Sequence, residues 1–145
     1  MVIAVRPAAR HDRPALRQLF LQSRRRTFAW LPAGDCRLED FDEQTRGESL
    51  LLAEDAQRNI AGFIAVWTPD RFIHHLHVAE DRQRQRIGRM LLAALPGWPV
   101  APYRLKCLCL NVRALAFYRT CGFIEVGSGT VPEGDFVLLE AGGGG

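Results

Sequence analysis

The stretch FIHHLHVAEDRQRQRIGRMLLAAL, residues 72–95, decides the architecture. Residues 72–78 are apolar, aromatic and histidine-rich and have strand character, whereas residues 80–86 are polar. Ile87, Met90, Leu91, Leu92 and Leu95 then recur at helical spacing until Pro96 and Gly97 end the run. A strand that feeds a polar loop and then a helix presents free backbone N–H groups and the positive end of the helix dipole, a combination that suits an anion. Arg82, Arg84, Arg86 and Arg89 crowd this helix start. Without an anion among them they would repel one another.

Downstream, residues 105–110 are apolar except for Lys106, as in a buried strand parallel to its neighbour. Asn111 caps a helix over residues 114–120, and Gly122 stands where a left-handed cap is needed. Residues 123–126 and 136–140 read as a closing antiparallel pair around Gly127, Gly129 and Gly134. Upstream, residues 48–54 and 60–67 form a hairpin across residues 55–59. Residues 38–45 read as a short acidic helix. Asp12 caps an earlier helix with Pro14 in its first turn, Leu16, Leu19 and Phe20 on one face, and an end near Ser23. Residues 2–6 alternate as a first strand that Pro7 stops. The order is strand, two helices, three strands, helix, strand, helix, two strands. That is the mixed α/β (α+β) class, with a mostly antiparallel sheet and at least one parallel crossover. Residues 1–141 read as one domain and residues 142–145 as a flexible glycine tail, and a chain of 145 residues has room for one core.

Composition narrows the function classes. No apolar run approaches the roughly 20 residues of a spanning helix, and Met1 leads straight into a strand pattern instead of an export signal. Cys36, Cys107, Cys109 and Cys121 form no C-x-x-C pair and read as reduced thiols, so a cytoplasmic location is expected. Of the 19 basic residues only Lys106 is lysine, a usage that fits a GC-rich bacterial genome, and Arg24, Arg25 and Arg26 read as a solvated face. The net charge of +3 suits a small anionic ligand, and the arginine loop lacks the interleaved aromatic residues of a nucleic-acid surface. Cys107 with Cys109, and His75 with His77, are pairs that each share a strand face. Strand cysteines of this kind read as core, however, and no metal is expected.

Two segments carry a resemblance. The first, VAEDRQRQRIG at residues 78–88, is similar to the acetyl-CoA signature of the GNAT superfamily of N-acetyltransferases, with Gln83 in the first position and Gly88 in the last. The second, NVRALAFYRTCGF at residues 111–123, resembles the family's Asn followed by a helix that bears Phe-Tyr and ends in Gly-Phe. Val5, Arg6 and Pro7 ahead of Asp12 are similar to the family's opening. The resemblance implies a GNAT-like central sheet of about seven strands, helices on both faces and a splayed parallel strand pair. It also implies acetyl-CoA as cosubstrate and direct transfer of the acetyl group to a primary amine in a ternary complex.

By the same resemblance, backbone groups of Leu76 and Val78 hold the pantetheine arm, and Gln83, Arg84, Gln85, Arg86, Ile87, Gly88 and Arg89 hold the pyrophosphate. Asn111 contacts the cofactor, and Tyr118 protonates the departing thiolate. Read from its helix alone, Tyr118 lies opposite Ala114, Leu115 and Phe117 and aims its phenol into a cleft. Arg86 departs from the family pattern, which has glycine there, and carries a strain cost if a positive φ is needed. Strand alternation places His74 with Leu76 and Val78, and His75 with His77 on the other face. The arylalkylamine branch looks similar in placing a catalytic histidine at His74, which is therefore the expected general base, with Glu80 second. Phe28 and Trp30 would line the acceptor pocket. Homodimers are common in the family, and neither nucleic acid nor membrane is an expected partner. The alternative is a non-catalytic CoA-binding regulatory domain of the same fold.

Overall fold

The computed structural model describes residues 2–27, 37–83 and 86–142. Seven strands form one sheet: β1 Ala4–Pro7, β2 Ser49–Glu54, β3 Ile60–Trp67, β4 Phe72–Val78, β5 Tyr103–Leu108, β6 Ile124–Val131 and β7 Gly134–Ala141. Their spatial order is β1-β2-β3-β4-β5-β7-β6, and only β4 and β5 run parallel. Among the described residues four α-helices accompany them: α1 Arg13–Thr27, α2 Asp40–Gln44, α3 Ile87–Ala93 and α4 Val112–Thr120.

Alternation in β3 sorts the core into two layers. Phe63 and Ala65 face α1 and α2, where Leu16, Leu19, Phe20, Phe41 and Leu52 complete one cluster. Ile64 and Val66 face α3 and α4, where Ile87, Leu91, Leu92, Leu115 and Tyr118 pack with Ile73, Leu105 and Leu139. Helices thus cover both faces of the sheet, as expected. The same division keeps His75 and His77, which touch Phe20, on the face opposite Cys107, so the four ligand-type residues do not converge.

Three local expectations change. Helix α1 continues four residues past Ser23, because Arg24 lays its guanidinium 5.5 Å from the Phe20 ring and 3.5 Å from Asp40. Arg24 is therefore half-buried and not part of a solvated face. Asp12 bonds backward, accepting from Ala9 N at 2.7 Å and from Arg6 Nη1 at 2.9 Å, and so ties β1 to the start of α1. The closing hairpin is longer than predicted. Gly127 and Gly129 lie within β6, a bulge falls between Glu125 and Gly127, and the Phe136 ring covers Gly129. Gly122 has the expected positive φ, +97°. Gly142 backs onto the carbonyls of Pro99, Val100 and Ala101, and residues 143–145 lie outside the described residues.

Candidate active site

The pairing of β4 with β5 stops after two residue pairs, Phe72 with Arg104 and Ile73 with Leu105. Beyond them the two parallel strands part. Ala79 N bonds Ala61 O, so His77 and Ala79 turn their backbone groups toward β3 while Leu76 and Val78 turn theirs toward the gap. The gap is an open strand edge inside the sheet, the kind of edge an extended amide-bearing arm can join by hydrogen bonds. The chain already uses part of it: Val78 O accepts from Gln83 Nε2 at 2.9 Å and from Arg26 Nη2 at 3.3 Å. Gln83 therefore secures the exit of β4, and Val78 O is occupied where the sequence predicted an unpaired group.

A bulge reorders β4. Val66 pairs with Ile73 and Ala65 with His75, which leaves His74 as the extra residue. Ile73 consequently joins Leu76 and Val78 on the α3 side. His74 does not: its ring lies 4.9 Å from Phe72 and 6.3 Å from His75. Simple alternation thus misplaces His74, because one inserted residue reverses every face assignment before it. The His74 side chain is 43% exposed, and its Nδ1 bonds the carboxylate of Glu48. Nothing in the sequence around Glu48 signals this role. Glu80, the second candidate base, is exposed in the turn after β4.

His75 and His77 are different in kind. Both meet the edge of Phe20, at 5.0 and 5.3 Å, and His77 Nδ1 lies 2.5 Å from Ser23 Oγ. Burial, with the nearby His74 and Arg24, pushes His75 down to about 4. Burial, with His75, Arg24 and Arg26, pushes His77 down to about 3. Both rings are neutral packing groups near neutral pH.

At the α3 start, Arg86 is the residue before the helix and has φ 62° and ψ 20°, the left-handed conformation that glycine adopts without penalty. The loop keeps the backbone path of the glycine pattern despite the side chain. Arg86→Gly is accordingly expected to stabilise the fold by about 0.5–1 kcal/mol, after glycine's greater unfolded freedom is set against the relieved strain. A urea midpoint that rises at unchanged slope would show it; a lower midpoint would mean that the Arg86 side chain makes a compensating contact. Gly88 is needed for contact, since a Cβ there would sit 2.8 Å from Phe117 Cζ of α4.

Arg82 and Arg89 are engaged within the protein. Arg82 Nη2 lies 2.5 Å from Asp55 Oδ2, and Asp55 also accepts from the backbone of Gln57 and Asn59. Arg89 Nη2 donates to Thr120 Oγ1 at 3.1 Å. The crowding that the sequence suggests is thus relieved by protein partners as well as by any anion. Arg84 and Gln85, like Phe28, Trp30 and Cys36, lie outside the described residues.

In α4, Asn111 Oδ1 accepts from Ala114 N at 3.3 Å, the predicted cap. Tyr118 is 9% exposed and shares its face with Leu115, three residues earlier, with rings 5.4 Å from Phe117 and 5.3 Å from Phe123. It belongs to the buried face of the helix and not to the opposite one, as the i, i+3 relation requires. Burial, reinforced by Cys107 and Cys121 nearby, raises the Tyr118 phenol well above its ordinary range. No hydrogen bond to it occurs among the described residues.

The fold as a whole matches known structures. The Escherichia coli protein YjaB, in its apo form, superimposes with a TM-score of 0.75 at 19% identity over 97% of this chain and 98% of that one. A GCN5-related N-acetyltransferase from Rhodopseudomonas palustris gives 0.76 at 19% identity over 98% of each chain. The PaiA N-acetyltransferase from Thermoplasma acidophilum, solved with coenzyme A, gives 0.75 at 17% identity over 97% of this chain and 99% of that one. No curated protein sequence matches the chain. At these identities the structures establish the fold. The family follows from sequence, because the model of the acetyltransferase (GNAT) family matches residues 13–123, from the start of α1 through Phe123, and the chain therefore belongs to that family of acetyl-CoA-dependent acetyltransferases.

Proposed function

We propose that this protein is an N-acetyltransferase that passes the acetyl group of acetyl-CoA directly to a primary amine, in a cytoplasm. The observation that carries the reading is the parting of β4 from β5 after Ile73 with the His74 bulge beside it. Backbone groups of Leu76 and the N–H of Val78 would hold the pantetheine arm, and the backbone N–H groups from Gln83 to Arg89 the pyrophosphate. Gly88 lets α3 sit against Phe117 and so sets where that loop stands. Acetyl-CoA supplies an acyl group activated as a thioester.

The chain's own residues handle protons and position. His74, half-exposed at the bulge, takes the proton of the acceptor amine, leaving the lone pair on nitrogen for attack. Tyr118, held protonated by burial, gives its proton to the departing thiolate. Asn111, whose Oδ1 caps α4, keeps that helix in place beside the gap.

Thiol release from acetyl-CoA, measured against spermidine, 2-phenylethylamine and an alanine-initial peptide, tests the reading. Turnover with at least one amine is expected, and His74→Ala should lower kcat/KM by about two orders of magnitude. Tight CoA binding with no turnover of any acceptor would instead assign a non-catalytic CoA-binding domain.

A further inference from the structure

Glu48 follows Gly47, whose φ is +79°, at the entry to β2, and its side chain is only 2% exposed. Its Oε2 bonds His74 Nδ1, while Oε1 has no donor among the described residues. Burial pushes this carboxyl above its ordinary range, and His74 opposes the rise. Rings flank both ends of the pair's setting. Trp67 presses on Gly47, where a Cβ would lie 3.2 Å from its Cζ3. Trp67 is also the strand partner of Phe72, and the Phe72 ring stands 4.9 Å from His74. At 2% exposure the Glu48 side chain is itself shielded from water, and His74 is its one described partner. A desolvated carboxylate is a strong acceptor, so it draws the proton of a neutral imidazole to the nitrogen it faces. The other ring nitrogen is then left as the base.

We propose that Glu48 is the positioning residue of this acetyltransferase: it orients the His74 ring with its proton on Nδ1 and so leaves Nε2 to accept the proton of the acceptor amine. The proposal rests on the reading of His74 as the base. In the step itself an N–H bond of the acceptor ammonium breaks, its electron pair stays on the amine nitrogen, and the proton forms a bond to Nε2. The resulting imidazolium is then stabilised by the Glu48 carboxylate. On the same strand His75 feels both His74 and Arg24 of α1.

Ring 15N chemical shifts of the histidine-labelled free protein, recorded where the imidazole is neutral, read the tautomer without any substrate. Wild type and Glu48→Asp are expected to show the Nδ1–H form of His74, and Glu48→Leu a mixture of the two forms. With acetyl-CoA and the amine panel above, Glu48→Leu should lower kcat at least about tenfold at unchanged KM for acetyl-CoA, and Glu48→Asp should recover most of it. An Nε2–H ring in wild type, a tautomer untouched in Glu48→Leu, or an unchanged kcat overturns the proposal. Absence of turnover in wild type overturns the acetyl-transfer reading instead, while the tautomer result still supports the pairing.

Discussion

Stability is expected to fall steeply between about pH 6.5 and about pH 4, with His75 and His77 as the cause. Unfolded chains take up protons on histidine near the ordinary value of about 6.5. In the fold His75 waits until about 4 and His77 until about 3, because both rings lie against Phe20 with arginines nearby. Below the unfolded value, the unfolded state therefore binds more protons than the native one. Stability drops as pH falls, by at most about 1.4 kcal/mol per pH unit for each histidine, until the folded values are reached. Two such groups remove several kcal/mol from a total that for ordinary domains is about 5–15 kcal/mol. Urea midpoints recorded from neutral to mildly acidic pH measure this directly. In His75→Phe/His77→Asn the slope should flatten, with asparagine keeping a partner for Ser23 Oγ. A wild-type profile already flat across this range would show that both rings are hydrated in solution.

Removing the Tyr118 hydroxyl is expected to separate activity from stability. Tyr118→Phe keeps the ring contacts with Phe117 and Phe123 and removes only an oxygen that has no hydrogen-bond partner among the described residues. Among the described residues that oxygen is not one of the fully buried atoms left without a partner, so the variant should unfold at nearly the same urea concentration, within about 0.5 kcal/mol of wild type. If Tyr118 is the proton donor to the thiolate, kcat should nonetheless fall by about 10²–10⁴, with CoA affinity little changed. Activity that survives the substitution, with stability unchanged, would leave Tyr118 as a packing residue and make solvent the proton source. Burial keeps the phenol protonated throughout the neutral range but also makes it a weaker acid, which works against the proposed transfer.

Most of the element order was legible because each segment states its own period. Residues 60–67 and 72–78 coincide with β3 and β4, Asn111 caps α4, and Gly122 takes the left-handed conformation. The length of α1 has a tertiary origin. Periodicity describes an isolated helix or strand, and the extension of α1 rests on the Arg24–Asp40 contact with α2, which no local pattern contains, as well as on the i, i+4 contact of Arg24 with Phe20. Tyr118 is a different case: its i, i+3 relation to Leu115 is local and by itself puts the ring on the buried face, where Phe123 packs against it.

The candidate site divides along the same line. By itself the sequence determined the class, a mostly antiparallel mixed sheet with at least one parallel crossover, and the family signature over Gln83 to Gly88 and Asn111 to Phe123, because strand and helix periods and capping residues are local properties. Only the tertiary structure decided which groups meet. The bulge at His74 depends on the register of β4 against β3, and the Glu48–His74 pair joins residues whose Cα atoms are brought together only by three-strand pairing. The loop arginines likewise found Asp55 and Thr120 through packing. Register, burial and long-range ion pairs depend on neighbours distant in sequence, and so they become readable only once the sheet has closed.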